Sequence, residues 1–286
     1  MTISPLEYRL RSRSAAPLFV SHPRLPDVAS VAFRRAGPMM IALALPLSIL
    51  AAWSLAARYQ FVAPQILPAP SIVGTTAVEL VKSGQLQSAL ATSLFRLAIG
   101  LVIGAVAGLA VGITMGLSTT VEDYLAPTIR AIWFVPSLGW LPFFMLIFGI
   151  GETLKIVLIA KACFLPIMIN SFDGVRGVSP KHRDVARILE LGRFDTLRFV
   201  VLPSLLPHLL TGVRLSLSKG WQVLVLVEMI ASAAGIGYLM TWGRKSFQLD
   251  IVLVTMLLIG LVGWLLDRAA MLVQERATAW ASRSTG

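Results

Sequence analysis

The sequence predicts an all-α, polytopic helical membrane protein with six transmembrane helices, and three observations carry that expectation. Apolar residues make up 56% of the 286-residue chain and charged residues only 14%, at a mean hydropathy of +0.79. Soluble chains carry about a quarter charged residues. The apolar residues gather into runs long enough for a hydrocarbon core of about 30 Å, which takes roughly 20 helical residues. Basic residues cluster on alternate sides of these runs, which is how cytoplasmic loops are marked.

Taken in order, residues 1–37 form a basic cytoplasmic segment ending at Arg34 and Arg35, and 38–57 form the first span. The length of the basic stretch favours a retained anchor over a cleaved signal peptide. Residues 58–87, richer in Pro, Ser and Gly, read as a periplasmic loop with short amphipathic pieces. A core over 88–275 then holds five spans: Ser88–Leu117, Tyr124–Gly149, Thr153–Ser171, Leu205–Ala233 and Ile251–Val273. A loop at 172–204 and a tail at 276–286 complete the chain. With the N-terminus inside, fifteen Lys and Arg fall on the cytoplasmic side against four outside (Arg58, Lys82, Arg244, Lys245). Both termini and the 172–204 loop are therefore expected in the cytoplasm.

The net charge of +11 follows this topology and is not a nucleic-acid signal, because no zinc-finger spacing, RNP-like motif or lysine-rich run accompanies it. Cys163 is the only cysteine and reads as a small buried hydrophobe. The three histidines have no metal-ligand spacing, so no metal site is expected.

Within the second span Gly100, Gly104, Gly108, Gly112 and Gly116 recur every fourth residue. That spacing makes a smooth ridge for close helix packing, within the subunit or across a dimer. Pro127, Pro136, Gly139 and Pro142 should kink or split the third span. Irregular backbone at membrane depth survives only when covered by protein or a water-filled cavity. Pro136–Pro142 is thus a candidate pathway wall, with a kinked packing helix as the plainer reading. Charged residues inside spans are functional candidates. Lys161, Lys219 and Glu228 are the central ones; either the lysines neutralise Glu228 or a helix end, or they lend positive potential to an anion pathway. Arg96, Arg130 and Arg214 sit nearer the span ends and are read as snorkelling to the interface. Gly235–Leu239, after the fifth span, is a turn or a surface for an extracytoplasmic partner.

The cytoplasmic loop carries a helical pattern. Ser179–Pro180 offers an N-cap and a first-turn proline. Val185, Ile188 and Leu189 separate from Arg187 and Glu190 into an apolar stripe and a polar side, and Gly192 can end the helix. Such a helix suits a groove on another protein, the alternative being a helix lying on lipid.

This loop resembles the E-A-A-x-x-x-G-x9-I-x-L-P loop of bacterial ABC-importer permeases. Asp184, Val185 and Ala186 take the E-A-A positions, Glu190 the glycine, and Val200, Leu202 and Pro203 the I-x-L-P positions. Leu67–Ser71, Gly149–Glu152, Gly212–Leu215, Glu228–Ile230 and Gly235–Leu239 are similar to the sulfonate/taurine/nitrate branch of that family. The resemblance implies a homodimeric permease with a MetI-like core and a coupling role for Asp184, Val185, Ala186, Ile188, Leu189, Glu190, Gly192 and Pro203. It also implies ATPase subunits that bind ATP and Mg, an extracytoplasmic binding protein, and a multi-pass place in the bacterial inner membrane. No P-loop occurs, so no ATP binding and no cofactor is expected in this chain. The implied substrate is a sulfonate, taurine, nitrate or similar anion, with thiamine or riboflavin precursors as the alternative. An ion-coupled secondary transporter would show inverted repeats, which the sequence lacks. A serine–lysine enzyme around Ser216, Ser218 and Lys219 lacks an oxyanion-hole motif.

Overall fold

The computed structural model describes residues 44–278, the side chains of Arg183 and Arg193 apart. The expected N-terminal segment 1–37, the start of the first span and the tail from 279 lie outside the described residues. The chain divides after Trp53. Of the first unit, residues 44–53 are helical and open α1 (Ala44–Arg58). The second unit carries α2 (Pro70–Lys82), α3 (Gln85–Leu117), α4 (Thr119–Phe134), a 3-10 turn (Ser137–Trp140), α5 (Leu141–Phe148) and α6 (Glu152–Arg176). It continues with α7 (Pro180–Ile188), α8 (Arg193–Thr196), a π-turn (Leu197–Val201), α9 (Leu202–Ala231), α10 (Ile236–Lys245) and α11 (Leu249–Thr278). No strand occurs among the described residues.

The glycine ridge sets the architecture. A methyl group built on Gly100 would lie 2.5 Å from Ile159 Cγ2, on Gly108 2.6 Å from Phe164 O, and on Gly116 2.6 Å from Val175 Cβ. Gly104 and Gly112 meet the carbonyls of Ala160 and Met168 in the same way. Both residue series rise together, so α3 and α6 are parallel and in near backbone contact. Between membrane helices, where lipid is as apolar as leucine, such small-residue contacts supply the packing energy. The helix α9 packs on another face of α6 in the opposite sense, with Gly212 against Asn170 and Gly220 against Cys163 Sγ.

Because α3 and α6 run the same way, the chain between them must return across the bundle. It does so as a broken element: α4 and the Ser137–Phe148 segment meet at 94°. The break falls at Val135–Pro136, where the chain leaves helical geometry, while Pro127 stays inside an unbroken α4. Alone, α3, the Phe194–Ala231 helix and α11 are long and apolar enough to cross a membrane, and the bent pair makes four. The 25-residue α6 is about 37 Å long at 1.5 Å per residue and has protein on several sides, with Leu154, Leu158, Ile159, Cys163 and Ile167 fully buried.

The segment expected as a loop over 58–87 holds α2, started by Pro70 and joined to the first turn of α11 by a 2.6 Å hydrogen bond from Thr76 Oγ1 to Asp250 Oδ2. At the other end of the bundle Arg214 of α9 forks onto Asp267 of α11 at 2.6 and 2.8 Å. Arg214 therefore has a partner within the bundle, where snorkelling was expected: a carboxylate about three helical turns from the end of α11 offers it a better site than the interface.

Candidate functional site

A half-open cavity of about 450 Å³ lies between α4, the 3-10 turn, α6 and α9. Its wall includes Pro136 and Ser137 at the break, Lys161 and Asn170 on α6, and Lys219 on α9. Three of the four residues picked as pathway candidates thus meet in one place. The break at Pro136 exposes irregular backbone to this cavity, as the bilayer requires of any non-helical segment at depth. Lys161 Nζ sits 5.3 Å above the Trp140 ring, a cation–π contact that holds the ammonium at the wall. No carboxylate lines the cavity among the described residues, so its field is positive.

Glu228, the fourth candidate, is elsewhere. Its carboxylate is fully buried and accepts from Arg96 Nη1 at 2.7 Å, Ser93 Oγ at 2.8 and 2.9 Å, and the Gly237 amide at 3.0 Å. Arg96 spends its remaining donors on Glu152, at 2.7 Å twice, and on the Ala234 carbonyl at 2.7 Å. Lys155 closes the group onto Glu152 at 2.8 Å. Two expectations are corrected here. Glu228 is neutralised by Arg96 and not by Lys161 or Lys219, and Arg96, only 3% exposed, does not snorkel. Arg96 lies eleven residues into α3, about 16 Å from its start, level with the first turn of α6. Gly235–Leu239 is likewise neither a plain turn nor simply a surface. Gly235, at φ +105°, leads into α10, whose first amides bind Glu228 and Ser93, so the helix N-terminus receives its anion from within the chain.

Ser216, fully buried, donates to the Cys163 carbonyl at 2.7 Å, while Lys219 lines the cavity. The two face different ways, so the serine–lysine pair considered from sequence does not form.

The 172–204 segment builds a short surface helix, α7. Pro180 takes its first position, and the Ser179 side chain makes no cap hydrogen bond, contrary to expectation. The helix ends at Ile188, not Gly192. Glu190 adopts φ +49°, its amide donates to Arg187 O at 3.0 Å, and Leu191 N–H donates to Ala186 O at 3.0 Å. This is the paired-bond ending in which a glycine ordinarily supplies the left-handed residue. Glu190 thus occupies in space the position it takes in the loop pattern, that of the glycine. Ala186 is buried, while Val185, Ile188 and Leu189 are exposed, Ile188 at 79%. Asp184 is exposed and 3.7 Å from Arg187; Gly192 leads into α8, and Pro203 sits in the first turn of α9.

Residues 100–279 match the model of the family described as binding-protein-dependent transport system inner membrane component. The chain belongs to this family. The similarity extends to individual transport permeases over most of the chain. SsuC of Bacillus subtilis (strain 168), by its name an aliphatic sulfonates transport permease, is 37% identical over 86% of this chain and 90% of its own length. The protein of the same name from Escherichia coli (strain K12) is 39% identical over 82% and 90%. The taurine transport system permease TauC of Escherichia coli (strain K12) is 35% identical over 81% and 86%. As a member of this family, the chain is a permease subunit of an ABC importer with a MetI-like domain, a multi-pass membrane protein.

Proposed function

We propose that this permease carries a small organic anion of the sulfonate class through the Lys161–Lys219 cavity, powered by ATP and Mg bound on separate ATPase subunits that dock on α7. An extracytoplasmic binding protein delivers the anion, and the chain works as a homodimer in the bacterial inner membrane with both termini cytoplasmic. The observation that carries the substrate class is the meeting of two lysines in one cavity whose described lining holds no carboxylate. Cations within membrane-spanning helices commonly find a carboxylate partner, as Arg96 and Arg214 do here. The names of the sulfonate and taurine permeases support the same class. The half-open side of the cavity supports the dimer, since lysines facing lipid at that depth are costly and a second copy would cover them.

The exposed stripe Val185, Ile188 and Leu189 supports α7 as the lever that the ATPase moves. Closing and opening of that partner would bias the bundle between inward- and outward-facing states. The test is uptake of ethanesulfonate, a sulfonate with no ammonium to cancel its charge, by the complete transporter in proteoliposomes. Lys161→Gln and Lys219→Gln should each lower uptake by about 10- to 100-fold, the value of a charge-assisted hydrogen bond of about 1.5–3 kcal/mol. ATP hydrolysis should still assemble on the intact α7. Uptake that persists without the ATPase, or a preference for an uncharged precursor over every anion tried, would overturn the proposal.

A further inference from the structure

A second cavity of about 200 Å³ lies below the first, between α4 and α6, and includes Glu122, Arg130, Trp133, Ile169 and Asp173 in its lining. Trp133 and Ile169 also line the first cavity, so the two share a wall. The shared geometry follows from helix period. On α4, residues 122, 126, 130 and 133 fall three or four apart and form one face; on α6, residues 161, 165, 169 and 173 do the same. From Lys161 to Asp173 the α6 face runs about 18 Å. Beyond it, Arg176 pairs with Glu122 across the end of the second cavity. That pair neutralises one of the two carboxylates there. Arg130, by contrast, has no ion-pair or hydrogen-bond partner among the described residues, and it was expected to reach the interface.

We propose that the two cavities are successive stations on one anion track, with Trp133 as the partition between them and Arg130 as the cation that receives the anion in the second. This rests on the anion reading of the first cavity. The order along the track is fixed by the helices: Lys161 and Lys219, then Trp133 and Ile169, then Arg130, then the Glu122–Arg176 pair that closes the cytoplasmic end. The indole ring partitions because it is large, rigid and placed one turn from Arg130 on the same helix face. An anion passing it exchanges two lysines for one arginine, and the one opposing charge it meets there is Asp173, a lining carboxylate with no ion-pair or hydrogen-bond partner among the described residues.

The experiment uses thiol reagents of opposite charge on the full chain assembled with its ATPase in membrane vesicles. Cys163 is fully buried and serves as an unreactive background. Ala126→Cys places a thiol in the wall of the second cavity. From the cytoplasmic side of inverted vesicles, the anionic 2-sulfonatoethyl methanethiosulfonate should modify it about tenfold faster than the cationic trimethylammonium analogue, each normalised to a free thiol. Arg130→Gln should bring the two rates together. From the opposite face, in right-side-out vesicles, Trp133→Ala should raise modification of the same thiol by the anionic reagent about tenfold, while Trp133→Phe keeps the barrier and reports on folding. A charge preference unchanged in Arg130→Gln, or equal outside access in Trp133→Ala and its parent, overturns the track. The lysine substitutions tested by uptake are independent of both readouts. If they leave transport intact while thiol selectivity follows Arg130, the anion reading of the first cavity falls and the proposal built on it falls at that station alone.

Discussion

Replacing Arg96 should be far more damaging than replacing its partner Glu228, and the structure sets the size of the difference. Arg96→Met leaves the Glu228 carboxylate fully buried, with Ser93 and Gly237 as its remaining hydrogen-bond donors and no ion-pair partner among the described residues. Breaking a buried pair in this way costs about 3–5 kcal/mol. Glu228→Gln removes the other half but leaves Arg96 forked onto Glu152 by two 2.7 Å bonds and bonded to Ala234 O. The amide also keeps an oxygen for the Gly237 N–H. Its cost should be about 1–2 kcal/mol, that of one charged hydrogen bond made neutral. The double variant Arg96→Met/Glu228→Met, with no buried charge left uncompensated, should recover about 2 kcal/mol relative to Arg96→Met alone. At about 2–4 °C per kcal/mol for a domain of this size, Arg96→Met should lower the apparent melting point by about 6–20 °C and Glu228→Gln by about 2–8 °C. Tryptophan fluorescence of the detergent-solubilised protein on a heating ramp reads this directly. A Glu228→Gln shift equal to or larger than that of Arg96→Met would refute the charge argument, and so would a double variant no more stable than Arg96→Met alone.

Further outcomes follow from the backbone. Glu190→Gly relieves a left-handed residue at the end of α7, and after the entropy cost of glycine the net gain should be about 0.5–1 kcal/mol, seen as a melting point raised by a few degrees with uptake retained. Gly108→Leu drives a side chain into the Phe164 carbonyl and should cost about 3 kcal/mol or more, whereas Val106→Leu on the exposed face of the same helix should be nearly neutral in the same thermal assay. Gly235→Ala combines a φ of +105° with a methyl that would fall on the Glu228 carboxylate, so it should lower the melting point and free the Gly237 amide to exchange with deuterium faster than in the parent protein.

What could be read in the residues was what a period or a punctuation mark expresses. Five glycines at a spacing of four announce a contact, and the structure adds only that the other side is α6, within the subunit. Pro136 marked a break because a proline pushes the residue before it out of the helical region, and Val135 is extended there, while Pro127 sits inside an unbroken α4. The cavity residues Lys161 and Lys219 were recognisable as costly charges, but the sequence offers no way to see that they share a wall. Arg96 and Glu228 are separated by 132 residues, and nearer lysines were the natural guess for the counter-ion. The special backbone at Glu190 was hidden because its residue type argues against it; only the alignment with a glycine position hinted at it.

The ridge on α3 has a mechanical consequence. With five successive close approaches interlocked along parallel axes, three of them onto carbonyl oxygens, α3 and α6 cannot slip past one another by less than a full helical turn without collision, so they form the fixed chassis of the subunit. By contrast α4, on the far side of the cavity, has no residue buried within this chain. A swing of the elbow at Pro136 against that frame would be the form taken by the alternating access proposed above.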